Sequence, residues 1–480
     1  MKRKNILFVA AEAHPFAQTG GLAEVIGSLP QAMMGAKKSY RVAIVMPLYR
    51  VVANRYQEQM TFVGSCEVTL AWRKLYCGFY KATSQSVEYY FVDNKYYFDR
   101  DDLYGHYDDG ERFAFFAKSI FSLLEMIGMM PDIIHTHDWH AAMVNVYLDI
   151  LYKKEGKYLN TKSVFTIHNI QYQGIFPLSI IEDILGISSQ YQSIVEYNGL
   201  VNFMKGAMVT SDLVTTVSPR YAKEIRTAQY ACGLEHLTRL MPEKIEGILN
   251  GINTTFYDPE HDPLIIAPYS AVTLEGKQQN KEQLQKSMGL TVNKDVAVLS
   301  IISRLVTQKG LNLVVDVFHD MMKLPLQIII LGKGDEYYQE KFIELSKLYP
   351  GRVASIITFD INLSKKIYAG SDLFLMPSKM EPCGLSQMIA CRYGTIPIVR
   401  ATGGLFDSIH DYSEPNGNGF VFKDFNADQM LDKVKEAITL YQQPQKFKAL
   451  ASKIMNIDFS WNASAKTYID YYEKLLQVKR

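Results

Sequence analysis

Short apolar runs recur from both ends of this chain, each followed by glycine or polar punctuation and then by a longer stretch with helical spacing. Residues 5–10, 41–46, 133–135 and 163–167 read as buried strands in the first half; 296–302, 327–331, 354–358, 373–376 and 396–399 do so in the second. Continuous apolar runs are buried on both faces, and strands separated by helices pair in parallel. The pattern predicts an α/β fold of doubly wound sheets, which bind ligands beyond the carboxyl ends of their strands. A chain of 480 residues with 48% hydrophobic composition supports two cores. The predicted boundary lies near Glu246–Gly251, giving Rossmann-like domains over 1–246 and 247–458. The tail, 459–480, reads as a helix over 459–476. No proline-rich or serine-rich linker interrupts the chain, so the hinge is expected to be short.

Composition excludes several classes of function. With 51 basic and 50 acidic residues, no global field recruits nucleic acid or an anionic membrane. The five cysteines are odd in number, widely spaced and without a CxxC pair, which points to reduced thiols in a cytoplasm. Lys2-Arg3-Lys4 before an apolar stretch mimics a secretory signal, but that stretch, Ile6 to Ala11, is only six residues long before Glu12, too short for a signal core. No run approaches a membrane span. A soluble, cytoplasmic protein is expected.

Two motifs carry chemistry. Ser303-Arg304-Leu305-Val306-Thr307-Gln308-Lys309-Gly310 offers two fixed cations around a polar loop, a guanidinium fork and a mobile point charge suited to phosphate oxygens. Met380-Glu381-Pro382-Cys383-Gly384-Leu385 joins a carboxylate to a small-residue turn whose amides can face a ligand. Transfer of a sugar from a nucleotide diphosphate demands both: groups that fix hydroxyls, and positive charge on the departing diphosphate. Gly20-Gly21 after the first strand permits close backbone approach at a helix start. It lacks the GxGxxG spacing of dinucleotide oxidoreductases. Thr19-Gly20-Gly21-Leu22 and Thr402-Gly403-Gly404-Leu405 echo each other, as one ligand-facing loop per domain would. His135, His137, Asp138 and His140 have metal-like composition, but no distant Cys/His group completes a site. No metal is assigned.

These motifs, with Gln18-Thr19-Gly20-Gly21-Leu22-Ala23-Glu24-Val25, Phe113-Ala114-Phe115-Phe116, His137-Asp138-Trp139-His140, Phe165-Thr166-Ile167-His168-Asn169, Gly247-Ile248-Leu249-Asn250-Gly251 and Arg400-Ala401-Thr402-Gly403-Gly404-Leu405, resemble the bacterial glycogen synthases and plant starch synthases. The likeness runs nearly end to end and keeps the family's order. It implies a glycosyltransferase-B architecture, two Rossmann-like domains facing a central cleft, with the final helix crossing back to the first domain. It further implies transfer of glucose from ADP-glucose to the non-reducing 4-hydroxyl of an α-1,4-glucan, with retention and without a cofactor or metal.

By the same resemblance, Asp138, His168, Glu381, Arg304 and Lys309 carry catalysis. Asp138 lies near the sugar, with Trp139 and His140 shaping the cleft, and the His168 carbonyl lies near the anomeric carbon. Gln18, Gly20, Gly21, Asn250, Phe359, Cys383, Leu385, Thr402, Gly403 and Gly404 join them in binding the donor, with Gly384 beside the glucosyl hydroxyls. The chain departs from the family at Gln18, normally lysine, and at Phe359, normally tyrosine against adenine; core packing is the other reading of Phe359. The family's alternatives stay open: a glucan-binding regulatory relative with little or no activity, or a retaining transferase using UDP-glucose. The aromatic span from Trp72 to Phe116 fits either strand packing or a glucan-binding surface.

Overall fold

In a computed structural model, residues 3–478 are described, so Lys2 and the last two residues of the predicted tail lie outside the description. The chain divides into two compact units, Met1–Asn250 with Trp461–Arg480, and Gly251–Ser460. Among the described residues no helix is long and apolar enough to cross a membrane.

The first unit is built on a nine-stranded sheet. Its order is Ile245–Gly247, Leu213–Thr216, Lys162–Ile167, Ile133–His137, Lys4–Val9, Tyr40–Pro47, Val87–Asp93, Arg73–Ser84, Thr61–Leu70. The first seven run parallel; the last two add an antiparallel edge. Ile6, Leu7, Phe8 and Val9 are wholly buried, as a strand covered by helices on both faces requires.

The antiparallel edge departs from the sequence reading. Its turns fall at Ala71-Trp72 and at Gln85-Ser86, where Ala71, Gln85 and Ser86 adopt positive φ without glycine or asparagine. The usual hairpin signal is therefore absent from the sequence. Strands Leu213–Thr216, Ile245–Gly247 and Phe420–Phe422 were also unread, because three or four residues leave little periodicity.

The second unit carries a six-stranded, fully parallel sheet ordered Val353–Ile356, Leu326–Leu331, Ala297–Ile302, Leu373–Met376, Ile396–Arg400, Phe420–Phe422. The strand expected over 354–358 ends at Ile356 instead. The chain must leave the sheet there so that Asp360 can cap the helix Ile361–Gly370, accepting from Leu363 N at 2.9 Å.

The last helix, Trp461–Gln477, packs in the first unit against the helix Gly21–Ala36. Its buried anchor is Tyr472, whose hydroxyl lies 2.5 Å from His135 Nδ1 while Thr166 Oγ1 lies 2.5 Å from Nε2. Tyr40 donates to Glu473 at 2.7 Å, and Lys37 pairs with the same carboxylate at 2.8 Å. Tyr472→Phe strands one nitrogen of a fully enclosed imidazole and is expected to destabilise the unit by about 1–3 kcal/mol. Urea unfolding followed by circular dichroism reads this directly; an unchanged midpoint would show that His135 has found another partner.

Candidate functional site

In the second unit, the loop after Ala297–Ile302 is pressed against the loop after Leu373–Met376. Gly310 has φ +71°, and a Cβ there would fall 2.0 Å from the Pro377 carbonyl oxygen, so only glycine permits the approach. Lys379 N donates to Gln308 O at 2.9 Å, and the Gln308 side chain donates to Met380 O at 3.3 Å. The result is a short ion pair: Lys309 Nζ lies 2.6 Å from Glu381 Oε2, with side chains 15% and 7% exposed. Ser378 Oγ donates to the same oxygen at 2.9 Å. The two motifs expected to hold different parts of a ligand thus hold each other. Arg304 is exposed, and no carboxylate among the described residues pairs with it.

Three supports fix the Glu381 turn; the sequence reading gave Gly403 and Gly404 to the donor and assigned no role to Arg400 or Gln387. Arg400 is buried, its guanidinium donating to Ser378 O at 2.7 Å and to Lys379 O. Gln387 donates to Cys383 O at 3.2 Å, Gly384 O at 2.9 Å and Ser408 Oγ at 3.1 Å. The third support is the glycine pair itself. A Cβ on Gly403 would fall 1.9 Å from Glu381 O, and one on Gly404 would fall 2.1 Å from Cys383 O.

Thr402, Gly403 and Gly404 are buried, so these glycines serve close packing against the protein's own turn. The two echoing loops, expected to be alike, differ in what lies against their glycines. Gly20 and Gly21 would meet nothing within 4 Å, leaving their backbone open, whereas their echo is filled by residues 381–383.

Phe359 is 71% exposed, which removes the core-packing reading. With Phe256, Thr358, Asp360, Ile361 and Asn362 it lines a shallow hollow open to solvent, of about 450 Å³. Phe256, a second exposed ring with Lys365 Nζ 3.8 Å from its centroid, had no signal in the sequence beyond an aromatic residue in a loop.

In the first unit, Glu12 follows the first strand and is nearly buried. Its carboxylate accepts from Thr19 N at 2.5 Å and Thr19 Oγ1 at 2.8 Å, fixing the loop that ends at Gly20-Gly21. Its place at the carboxyl end of the first strand was the available signal for Glu12. Gln18, beside that loop, is half-buried.

Asp138 opens the helix after Ile133–His137 with φ +56°, a left-handed conformation rare outside glycine and a mark of an over-determined position. Its Oδ1 accepts from His168 N at 2.8 Å, tying the ends of two neighbouring strands together. Burial pushes its carboxyl up to about 7, against the opposing pull of the His168 and Asn169 amides.

His168 Nε2 lies 3.1 Å from His137 Nδ1. Burial drives His168 down to about 3 and His137 well below its ordinary value, so the pair is neutral and one ring donates to the other. The His168 carbonyl accepts no hydrogen bond from the described residues. His140 is enclosed by Trp139, Tyr104 and Phe113, with ring centroids 4.1, 4.4 and 4.8 Å away. Trp139 and His140 are buried, so their influence on any surface above them is exerted from beneath. His135 is spent on Tyr472 and Thr166 and is not available to the cluster that invites a metal. Asn250 is buried, and its Oδ1 has no hydrogen-bond partner among the described residues.

Comparison with known proteins matches the two units to two family models. Residues 5–240 match the starch synthase catalytic domain, and residues 282–453 match glycosyl transferases group 1. The chain is 47% identical over 476 residues to a glycogen synthase of Geobacillus thermodenitrificans, covering 98% of each chain. It is 43% identical over 480 residues to a glycogen synthase of Bacillus subtilis, covering 99% of each. Among solved structures, it resembles the catalytic domain of starch synthase IV from Arabidopsis thaliana, bound to ADP and acarbose. There the TM-score is 0.91 at 32% identity, with 99% of this chain and 100% of that one covered. Two largely parallel sheets, a carboxylate turn clamped to Lys309, and identity sustained over nearly the whole length place the chain in the glycogen and starch synthase family, glycosyltransferases of the glycosyltransferase-B fold.

Proposed function

We propose that this chain transfers glucose from ADP-glucose to the non-reducing 4-hydroxyl of an α-1,4-glucan, with retention at the anomeric carbon. The observation that carries the reading is the Lys309–Glu381 pair, with the exposed, unpaired Arg304 five residues earlier on the same loop. Arg304 grips the diphosphate through its fork, and Lys309 turns from Glu381 toward the β-phosphate as negative charge develops there. Glu381, its carboxylate already oriented by Ser378, takes up hydroxyls of the glucosyl group. Phe359 gives a flat face to the adenine. The starch synthase that this chain resembles was solved with ADP, which supports a nucleotide-diphosphate donor.

On the acceptor side, Asp138 accepts from a glucosyl hydroxyl. The open His168 carbonyl stabilises positive charge at the anomeric carbon. His168 itself is neutral and bonded to His137, so it is not the proton donor. A carboxylate nucleophile has no place in this scheme, unlike the paired carboxylates of retaining hydrolases. The leaving diphosphate takes the acceptor's proton, and the sugar passes through an oxocarbenium-like ion pair on one face.

Arg304→Ala removes a phosphate contact without stranding a buried partner. It is expected to lower kcat/KM for ADP-glucose at least about tenfold, or roughly 1.4 kcal/mol. Lys309→Ala should cost more, because Glu381 is left as an uncompensated, nearly buried charge. Glu381→Gln should cripple transfer while calorimetric affinity for ADP stays within a few-fold of wild type. An equal loss of ADP affinity would make Glu381 a support of the nucleotide pocket and not a sugar ligand.

Side-chain cations carry the diphosphate in this scheme, so no divalent ion is required. Glycogen extension is expected to persist after exhaustive chelation; abolition by chelator with rescue by one metal would overturn that part of the reading.

Gln18 donates a hydrogen bond but cannot neutralise phosphate. A charged contact contributes about 1.5–3 kcal/mol, of which desolvation removes a share, so Gln18→Lys should raise kcat/KM several-fold. The gain should shrink with added salt, since the position is partly exposed. Both proteins would be assayed for ADP and UDP release from the matching nucleotide glucose, with and without glycogen. Release of neither by either protein, with glycogen still bound, would favour a regulatory glucan-binding role; faster UDP release would reassign the donor.

A further inference from the structure

Two of the five cysteines face each other across the edge hairpin of the first unit. Cys66 in Thr61–Leu70 is the direct register partner of Cys77 in Arg73–Ser84. Opposed residues in an antiparallel pair have Cα atoms about 4.5–5.5 Å apart, within the roughly 4.4–6.8 Å that a disulfide spans. Opposed side chains also leave the same face of the sheet, here toward the helix Asp109–Met126, which supplies Ser122 beside Cys66 and Ser119 beside Cys77. The two thiols differ in access: Cys66 is half-buried, and Cys77 is wholly buried.

We propose that Cys66 and Cys77 form a reversible dithiol–disulfide pair that a hydroperoxide oxidises, with Cys66 as the attacked thiol and Cys77 as the resolving one. The neighbouring Cys77 thiol holds the Cys66 thiol below its ordinary range, while burial holds Cys77 above its own. Reaction at a peroxide follows thiolate character and access, and both select Cys66.

In the first step the Cys66 thiolate attacks one peroxide oxygen. An S–O bond forms, the O–O bond breaks, and the departing oxygen leaves as water after taking a proton. In the second, the Cys77 sulfur attacks the Cys66 sulfenic acid. An S–S bond forms, the S–O bond breaks, and the hydroxyl leaves as a second water with the Cys77 proton. Two electrons pass from the thiol pair to one peroxide. The pairing gives Cys66 a reversible end point in place of irreversible over-oxidation. No other cysteine in the hairpin competes: Cys232 lies outside it and is exposed, while Cys383 and Cys391 are buried in the other unit.

The test treats the reduced wild-type chain with stoichiometric hydrogen peroxide at neutral pH, alkylates the remaining thiols, and maps peptides by mass spectrometry. A linked Cys66–Cys77 peptide, lighter by two hydrogens and reopened by dithiothreitol, is expected. Cys66 should lose alkylation at least about tenfold faster than Cys232. In Cys77→Ser, dimedone should trap a sulfenic acid on Cys66, which then advances to sulfinic acid. The proposal fails if Cys66 and Cys77 stay alkylatable after Cys232 has reacted, or if wild-type Cys66 over-oxidises with Cys77 still free. Both failing results are read in the wild-type chain, independently of whether the serine variant folds.

Discussion

The short pair between Lys309 and Glu381 organises the second unit's site. Neither side chain is well solvated, and two largely enclosed charges are tolerable only when each compensates the other. That requirement brings two loops into register, and the protein spends further groups to keep them there. Gly310 allows one loop to touch the Pro377 carbonyl, Arg400 holds Ser378 and Lys379, and Gly403 and Gly404 let a helix start lie directly on the Glu381 turn. The carboxylate is therefore positioned before any ligand arrives, which is what electrostatic stabilisation of a transition state needs.

The histidine cluster of the first unit is ordered through uncharged groups. His137 and His168 exchange a hydrogen bond as neutral rings, and His135 is consumed by Tyr472 and Thr166. Desolvation explains all three, since an imidazolium would have to be buried without a counter-ion. Asp138 is the one member near its titration point at neutral pH, and it sits on a strained backbone fastened to the next strand. Glu12 does the corresponding work for the open glycine loop.

Much of this was legible in the chain itself. Runs such as 373–376 and 396–399 reappear as strands Leu373–Met376 and Ile396–Arg400 because continuous apolarity leaves a central parallel strand little choice. The edge hairpin was not legible, since its alternation faces solvent on one side and its turns use Ala71, Gln85 and Ser86 at positive φ. Phe359 could be read as core or as a ligand face from sequence; its exposure decides the matter, and it brings in Phe256 from about a hundred residues away. The echo of Thr19-Gly20-Gly21-Leu22 in Thr402-Gly403-Gly404-Leu405 suggested one role for both, yet one pair of glycines is open and the other filled.

The sequence alone determined the α/β class, the motifs proposed to carry the chemistry and the family they resemble, because each is written in local pattern: apolar periodicity, glycine placement, and charges at fixed spacing. Tertiary structure decided which of those residues meet. The pairing of Lys309 with Glu381, the burial of Arg400 beneath Ser378, and the opposition of Cys66 to Cys77 all join positions distant in sequence or set by strand register. Such contacts depend on how sheets and loops close in space, and a linear pattern holds no distance between residues that only folding brings together.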